Sequence, residues 1–164
     1  MPAVIRYLQT AAGACLIAAA IGGTAAAEPA QPLLVTVSVK TAHRFDALVA
    51  RLEAAIERHK MGLVAQASAS RGAAARGVKI AGNAVLMVFR NDYAVRMLSA
   101  NIPAGIEAPL RIYVTEESDG TATVTYRTPS AVFAPYRNAA LDDMAKELDG
   151  VFQNIVRDAA GRGS

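Results

Sequence analysis

The chain has no tryptophan, one cysteine and two histidines in 164 residues. Each scarcity removes a class of chemistry. Nine aromatic rings in all (four Phe, five Tyr) leave few platforms on which bases or sugars could stack. His43 and His59 fall at opposite ends of one expected helix. A metal centre needs three or four converging ligands, so no metal site is expected. No Gly-x-Ser-x-Gly elbow occurs, and neither histidine is placed to serve a serine as base. Gly72, Gly77 and Gly82 are spaced too widely for a phosphate loop or a dinucleotide turn. Asp142 and Asp143 are adjacent, and adjacent helical positions do not face each other, so they form no carboxylate dyad. The expectation is therefore no catalytic constellation and no cofactor. Charge of one sign is also lacking: 17 basic residues against 14 acidic give a formal +3, no footprint for nucleic acid.

The order of residue types at the N-terminus is informative. Arg6 is the only charge before Glu28. An apolar run from Ala11 to Ile21 follows, long enough for the core of a secretory signal and short of the roughly 20 residues a membrane span needs. Gly22-Gly23 breaks it. Ala25 and Ala27 then place small residues where signal peptidase reads them, predicting cleavage before Glu28. Residues 1–27 are thus expected to be a cleavable signal and 28–32 a short proline-marked leader. The domain is expected over 33–158 and a flexible tail over 159–164. Localisation would be periplasmic or secreted. Cleavage removes Cys15, leaving a cysteine-free chain that must be stable without disulfides. It also removes Arg6, so 16 basic residues face 14 acidic ones.

Past the leader, periodicity outlines one domain. Leu33–Val39 alternates and predicts a strand. Thr41 is a candidate cap for the next helix. Phe45, Leu48, Val49, Leu52 and Ile56 share one helical face over Arg44–Lys60, and Gly62 stands where a C-terminal cap belongs. Leu63–Ser70 alternates again and predicts a second strand. Arg71–Gly82 reads as a loop or a short helix. Val85–Phe89 is a continuous apolar strand, and Tyr93–Ala100 a short helix capped by Asn91 or Asp92. Pro109–Thr115 and Thr121–Arg127 form a hairpin about Asp119-Gly120. Ala139–Asp158 is a long helix with Leu148, Phe152 and Ile155 in its apolar stripe. The expected class is α+β: a two-layer α/β sandwich of about five strands in a mixed sheet, helices mainly on one face.

The stretch Val85–Asp92, the helix end Met97-Leu98-Ser99-Ala100-Asn101, the strand Pro109–Val114, Asp119-Gly120, Val124–Arg127 and Pro129 follow one another in a familiar order. In this set the chain resembles the family called domain of unknown function 302, over about Leu33 to Val156. The resemblance implies a small two-layer α/β domain, often dimeric, and carries no activity with it. The chain departs from the family pattern at Arg90, where a turn glycine is expected, and at Asp92, where a proline is. Arg71 stands in place of an aspartate–histidine pair.

One constellation invites a ligand. Arg90, Asn91 and Tyr93 link an apolar strand to a helix N-terminus, where free N–H groups with Arg90 and Arg96 could hold an anion. The competing account has Asn91 or Asp92 capping the helix and Arg90 solvated. The functional expectation is a non-enzymatic module binding a small anionic or apolar ligand or a protein, with a homodimer among its assemblies. The alternative is an enzyme whose site assembles at Arg90–Tyr93, which requires a deep pocket and converging polar groups there. An interaction role for the last helix would require Leu148, Phe152 and Ile155 to be free of their own domain.

Overall fold

The computed structural model of the protein describes residues 35–161. The expected signal, its cleavage residues Ala25, Ala27 and Glu28, and the leader lie outside them. The elements are β1 (Thr36–Arg44), α1 (Phe45–Arg58), β2 (Gly62–Ala67), α2 (Ala69–Ala74), β3 (Asn83–Phe89), α3 (Asn91–Ala100), β4 (Leu110–Glu116), β5 (Thr121–Arg127), α4 (Pro129–Phe133) and α5 (Ala139–Ala160). Two 3₁₀ turns, Ile102–Glu107 and Ala134–Tyr136, complete the elements of the described residues.

The five strands form one sheet in the order β1-β5-β4-β3-β2. Every pairing is antiparallel, which corrects the expected mixed sheet. The reason is topological. The one long crossover, through α1, joins β1 and β2 at opposite edges, so no two parallel strands become neighbours.

Alternation sorts the side chains. Leu86, Val88, Ile112, Val114, Ala122 and Val124 are buried on one face. The apolar stripes of α1 and α5 cover that face: Leu48, Leu52 and Ile56 from the first, Leu141, Phe152 and Ile155 from the second. Phe152 packs on Tyr126 with ring centroids 5.8 Å apart. Burial of Leu148, Phe152 and Ile155 in their own domain removes the basis for a partner-binding last helix. The other face carries Thr36, Ser38, Arg111, Tyr113, Thr125 and Arg127, each exposed or half-buried.

Several local expectations shift. β1 runs on to Arg44, because Thr41 is a strand residue and not a cap. Its Oγ1 donates to the Ala122 carbonyl at 2.8 Å and accepts the His43 N–H at 3.2 Å, across an irregularity between Lys40 and Arg44. Gly62 opens β2 and does not cap α1; a Cβ there would lie 3.2 Å from the Phe89 carbonyl oxygen of the neighbouring strand. Lys60 instead takes the left-handed turn, at φ 57°. β2 ends at Ala67, since the Ser68 hydroxyl accepts the Arg71 N–H and starts α2. α5 continues to Ala160, two residues beyond its expected end, and stops at Gly161 with φ 70°.

Candidate functional site

β3 delivers its last residue, Phe89, to a turn from which α3 departs. Arg90 occupies the capping position, and neither Asn91 nor Asp92 caps the helix. The Asp92 carboxylate is turned back onto the Arg90 guanidinium, with Nε–H and Nη2–H donating at 2.6 and 2.9 Å. Arg90 is therefore partly exposed and already paired with a carboxylate. This hydrogen bond holds the Asp92 carboxyl below its ordinary range and raises Arg90 further. Arg96, two turns along, donates through both Nη atoms to Glu147 of α5 at 2.8 Å each. Glu147 is held down by that contact, as Arg96 is held up.

Tyr93 lies between the two cations. The Arg90 guanidinium sits 4.2 Å from its ring centroid and that of Arg96 5.5 Å. The structure thus brings Arg90, Tyr93 and Arg96 together, while Asn91 stays exposed at the first turn of α3. Beneath them is a cavity of about 30 Å³, lined by Met61, Val88, Met97, Leu110, Phe133 and Met144 among others. That volume suits one or two waters, not a metabolite. The walls are almost wholly apolar, and no base or nucleophile converges on the cavity. Each cation already has its carboxylate.

A second concavity is larger. It opens on the uncovered side of the sheet, where β4 begins and β5 ends, and encloses about 440 Å³. Ligand sites commonly span about 300–1,000 Å³. Thr36, Arg111, Tyr113 and Arg127 form its floor; Glu107, from the 3₁₀ turn, and Val132, from α4, contribute to its walls. The Tyr136 hydroxyl donates to the Glu107 carboxylate at 3.0 Å and fixes that wall. Burial, and then this bond, raise the Tyr136 pKa, so the phenol keeps its proton.

Sequence reasoning missed this groove. The signal was present in the hairpin alternation: Arg111 and Tyr113 fall out of phase with Leu110, Ile112 and Val114, and Arg127 out of phase with Val124 and Tyr126. The walls were not visible, because α4 and the 3₁₀ turn are short and aperiodic.

The histidines remain apart in role. His59 pairs with Asp158 at 2.8 Å and helps hold the end of α5 against α1. His43 lies beside Gly161. Among the described residues, no three His, Asp or Glu side chains gather as metal ligands. No helix among them is long and apolar enough to cross a membrane.

The sequence profile of the domain of unknown function DUF302 matches residues 36–159. The chain belongs to the DUF302 family. Its fold is similar to that in the crystal structure of an uncharacterized conserved DUF302 protein from Bacillus stearothermophilus. The TM-score is 0.69 at 19% identity, over 78% of this chain and 99% of the other. No curated protein matches. Family membership thus fixes the DUF302 architecture and leaves the chemistry to the residues.

Proposed function

We propose that this DUF302 protein is an exported, non-enzymatic binding module, working in the periplasm or outside the cell, whose ligand surface is the groove on the uncovered sheet face. The observation that carries the reading is the contrast between two concavities. At Arg90–Arg96 both guanidiniums are engaged by carboxylates and the space is about 30 Å³. On the sheet face about 440 Å³ is open, floored by polar side chains on rigid strands. Strand-borne side chains hold position better than loop-borne ones, which favours recognition over mere wetting. Export is supported by the charge, apolar-run and small-residue order before Glu28, and by the placement of Cys15 within that segment.

Two measurements test this. N-terminal sequencing of the protein recovered outside the cytoplasm should begin at Glu28; an intact Met1 in the cytoplasmic fraction would refute export. Amide chemical shifts recorded against a panel of small anions and apolar compounds should move at Thr36, Tyr113 and Thr125. Shifts confined to Arg90–Met97, or turnover of a compound, would refute the groove and the non-enzymatic reading respectively.

A further inference from the structure

We infer that Arg111 and Arg127 form a two-guanidinium clamp for an oxyanion, carboxylate or phosphate, carried on an apolar or aromatic body. The inference rests on the groove being the ligand surface. Met87 pairs with Arg111 and Thr36 with Arg127. Ile112 pairs with Tyr126, and the same register one residue further sets Arg111 directly across from Arg127. Directly opposed side chains on antiparallel strands have Cβ atoms roughly 5 Å apart, and like charges so placed are destabilising. Among the described residues neither guanidinium has an ion pair or a hydrogen bond. This differs from Arg90 and Arg96, each of which is held by a carboxylate.

Two uncompensated cations held face to face on a rigid floor are complementary to an anion. Arginine suits it: the planar fork can donate two parallel N–H bonds to a carboxylate or phosphate, and two forks can share one such group. Tyr113 is two residues from Arg111 on the same face and 41% exposed, and Val85 pairs with it. Together they offer an apolar bed for the body of the ligand. Glu107, the carboxylate in the groove wall, is out of ion-pair reach of both arginines and engaged by Tyr136.

The test titrates the full chain with phenyl phosphate, with neutral benzyl alcohol, and with vesicles containing phosphatidylglycerol, at matched ionic strength. Phenyl phosphate should bind saturably and raise the melting temperature, and benzyl alcohol should not. Arg111→Gln and Arg127→Gln should each weaken phenyl phosphate at least about tenfold, the scale of one lost charge-assisted bond. Both variants should melt no lower than the parent without ligand, since each relieves a like-charge contact. Lys at either position should restore part of the affinity. Vesicle binding lost in both Gln variants would assign the same clamp to a lipid headgroup. Phenyl phosphate binding in the groove with unchanged affinity in both variants would overturn the clamp and leave the groove standing. Absence of binding by phenyl phosphate and by vesicles would overturn the clamp, as would a dimer that either Gln variant dissociates, which would give the face to a second copy of the chain.

Discussion

Removing the Asn138 side chain should loosen the helix layer by a calculable amount. Its Oδ1 accepts the N–H groups of Ala140 and Leu141 at 3.0 and 3.2 Å, closing the start of α5. Its Nδ2–H donates to the Ala100 carbonyl at the end of α3, 3.1 Å away. The orientation of the amide is fixed by this partition, since only the oxygen can accept and only the nitrogen can donate. Loss of an Asn cap costs about 1 kcal/mol. Loss of a neutral hydrogen bond costs about 1 kcal/mol more. Asn138→Ala should therefore destabilise by about 2 kcal/mol, lowering the melting temperature by roughly 6–10 °C for a domain of this size. Asn138→Ser keeps a capping oxygen and loses the bond to Ala100, so about half the effect should remain. Urea unfolding gives the free energies, with an unchanged slope showing that the folded and unfolded states keep their exposure. The reasoning fails if Asn138→Ala shifts stability by less than about 0.5 kcal/mol, the scale of ordinary surface substitutions. It fails equally if Ser is as damaging as Ala, because the cap would then contribute nothing. The point bears on the site as well: α3 carries Tyr93 and Arg96, and α5 carries Glu147.

Two further outcomes follow from close contacts. A Cβ at Gly82 would lie 2.8 Å from two ring atoms of Phe45 and 3.1 Å from Glu116 Oε2, which accepts the Gly82 N–H. Gly82→Ala should thus cost about 1–3 kcal/mol of unfolding free energy, as overpacking does. Gly72→Ala, in α2 with nothing within 4 Å, should be neutral or stabilising in the same assay. Asp158 is depressed chiefly by its hydrogen bond to His59. A depressed carboxylate contributes stability that is present above its unfolded pKa, about 4, and fades as pH falls through the lower native value. Carboxyl NMR titration should show the Asp158 pKa rising toward the ordinary value in His59→Ala, with a smaller loss of stability on acidification. An unmoved Asp158 would show that the pair does not set its titration.

Periodicity carried much of the architecture. The stripe Phe45, Leu48, Val49, Leu52, Ile56 is buried as its spacing requires, and the expected β4–β5 hairpin about Asp119-Gly120 forms. Sheet direction was not readable, because it depends on which edges α1 connects. The ends of β1 and β2 were misplaced where a hydroxyl changes its partner: Thr41 turns to Ala122, and Ser68 caps a helix that alanine content alone left ambiguous. At Arg90–Arg96 the sequence showed two cations beside a helix start. It did not show that Glu147, 51 residues beyond Arg96, closes one of them. Conversely, Arg111 and Arg127 looked like ordinary outward-facing strand residues. Their interest comes from the register that opposes them and from the absence of a described partner.

The strand order has a consequence for how the chain comes to be folded. β1 sits at the sheet edge, and its one strand neighbour is β5, so Thr36 waits for Arg127. A chain threaded N-terminus first, from a ribosome or through a membrane channel, presents β1 long before anything can pair with it. The pairs β2–β3, β3–β4 and β4–β5 each join strands consecutive in sequence, whereas β1 pairs only with the last strand, a non-local contact. Until that contact forms, β1 has no sheet to lock it. That delay leaves the edge strand β1 unpaired until its C-terminal partner has been made.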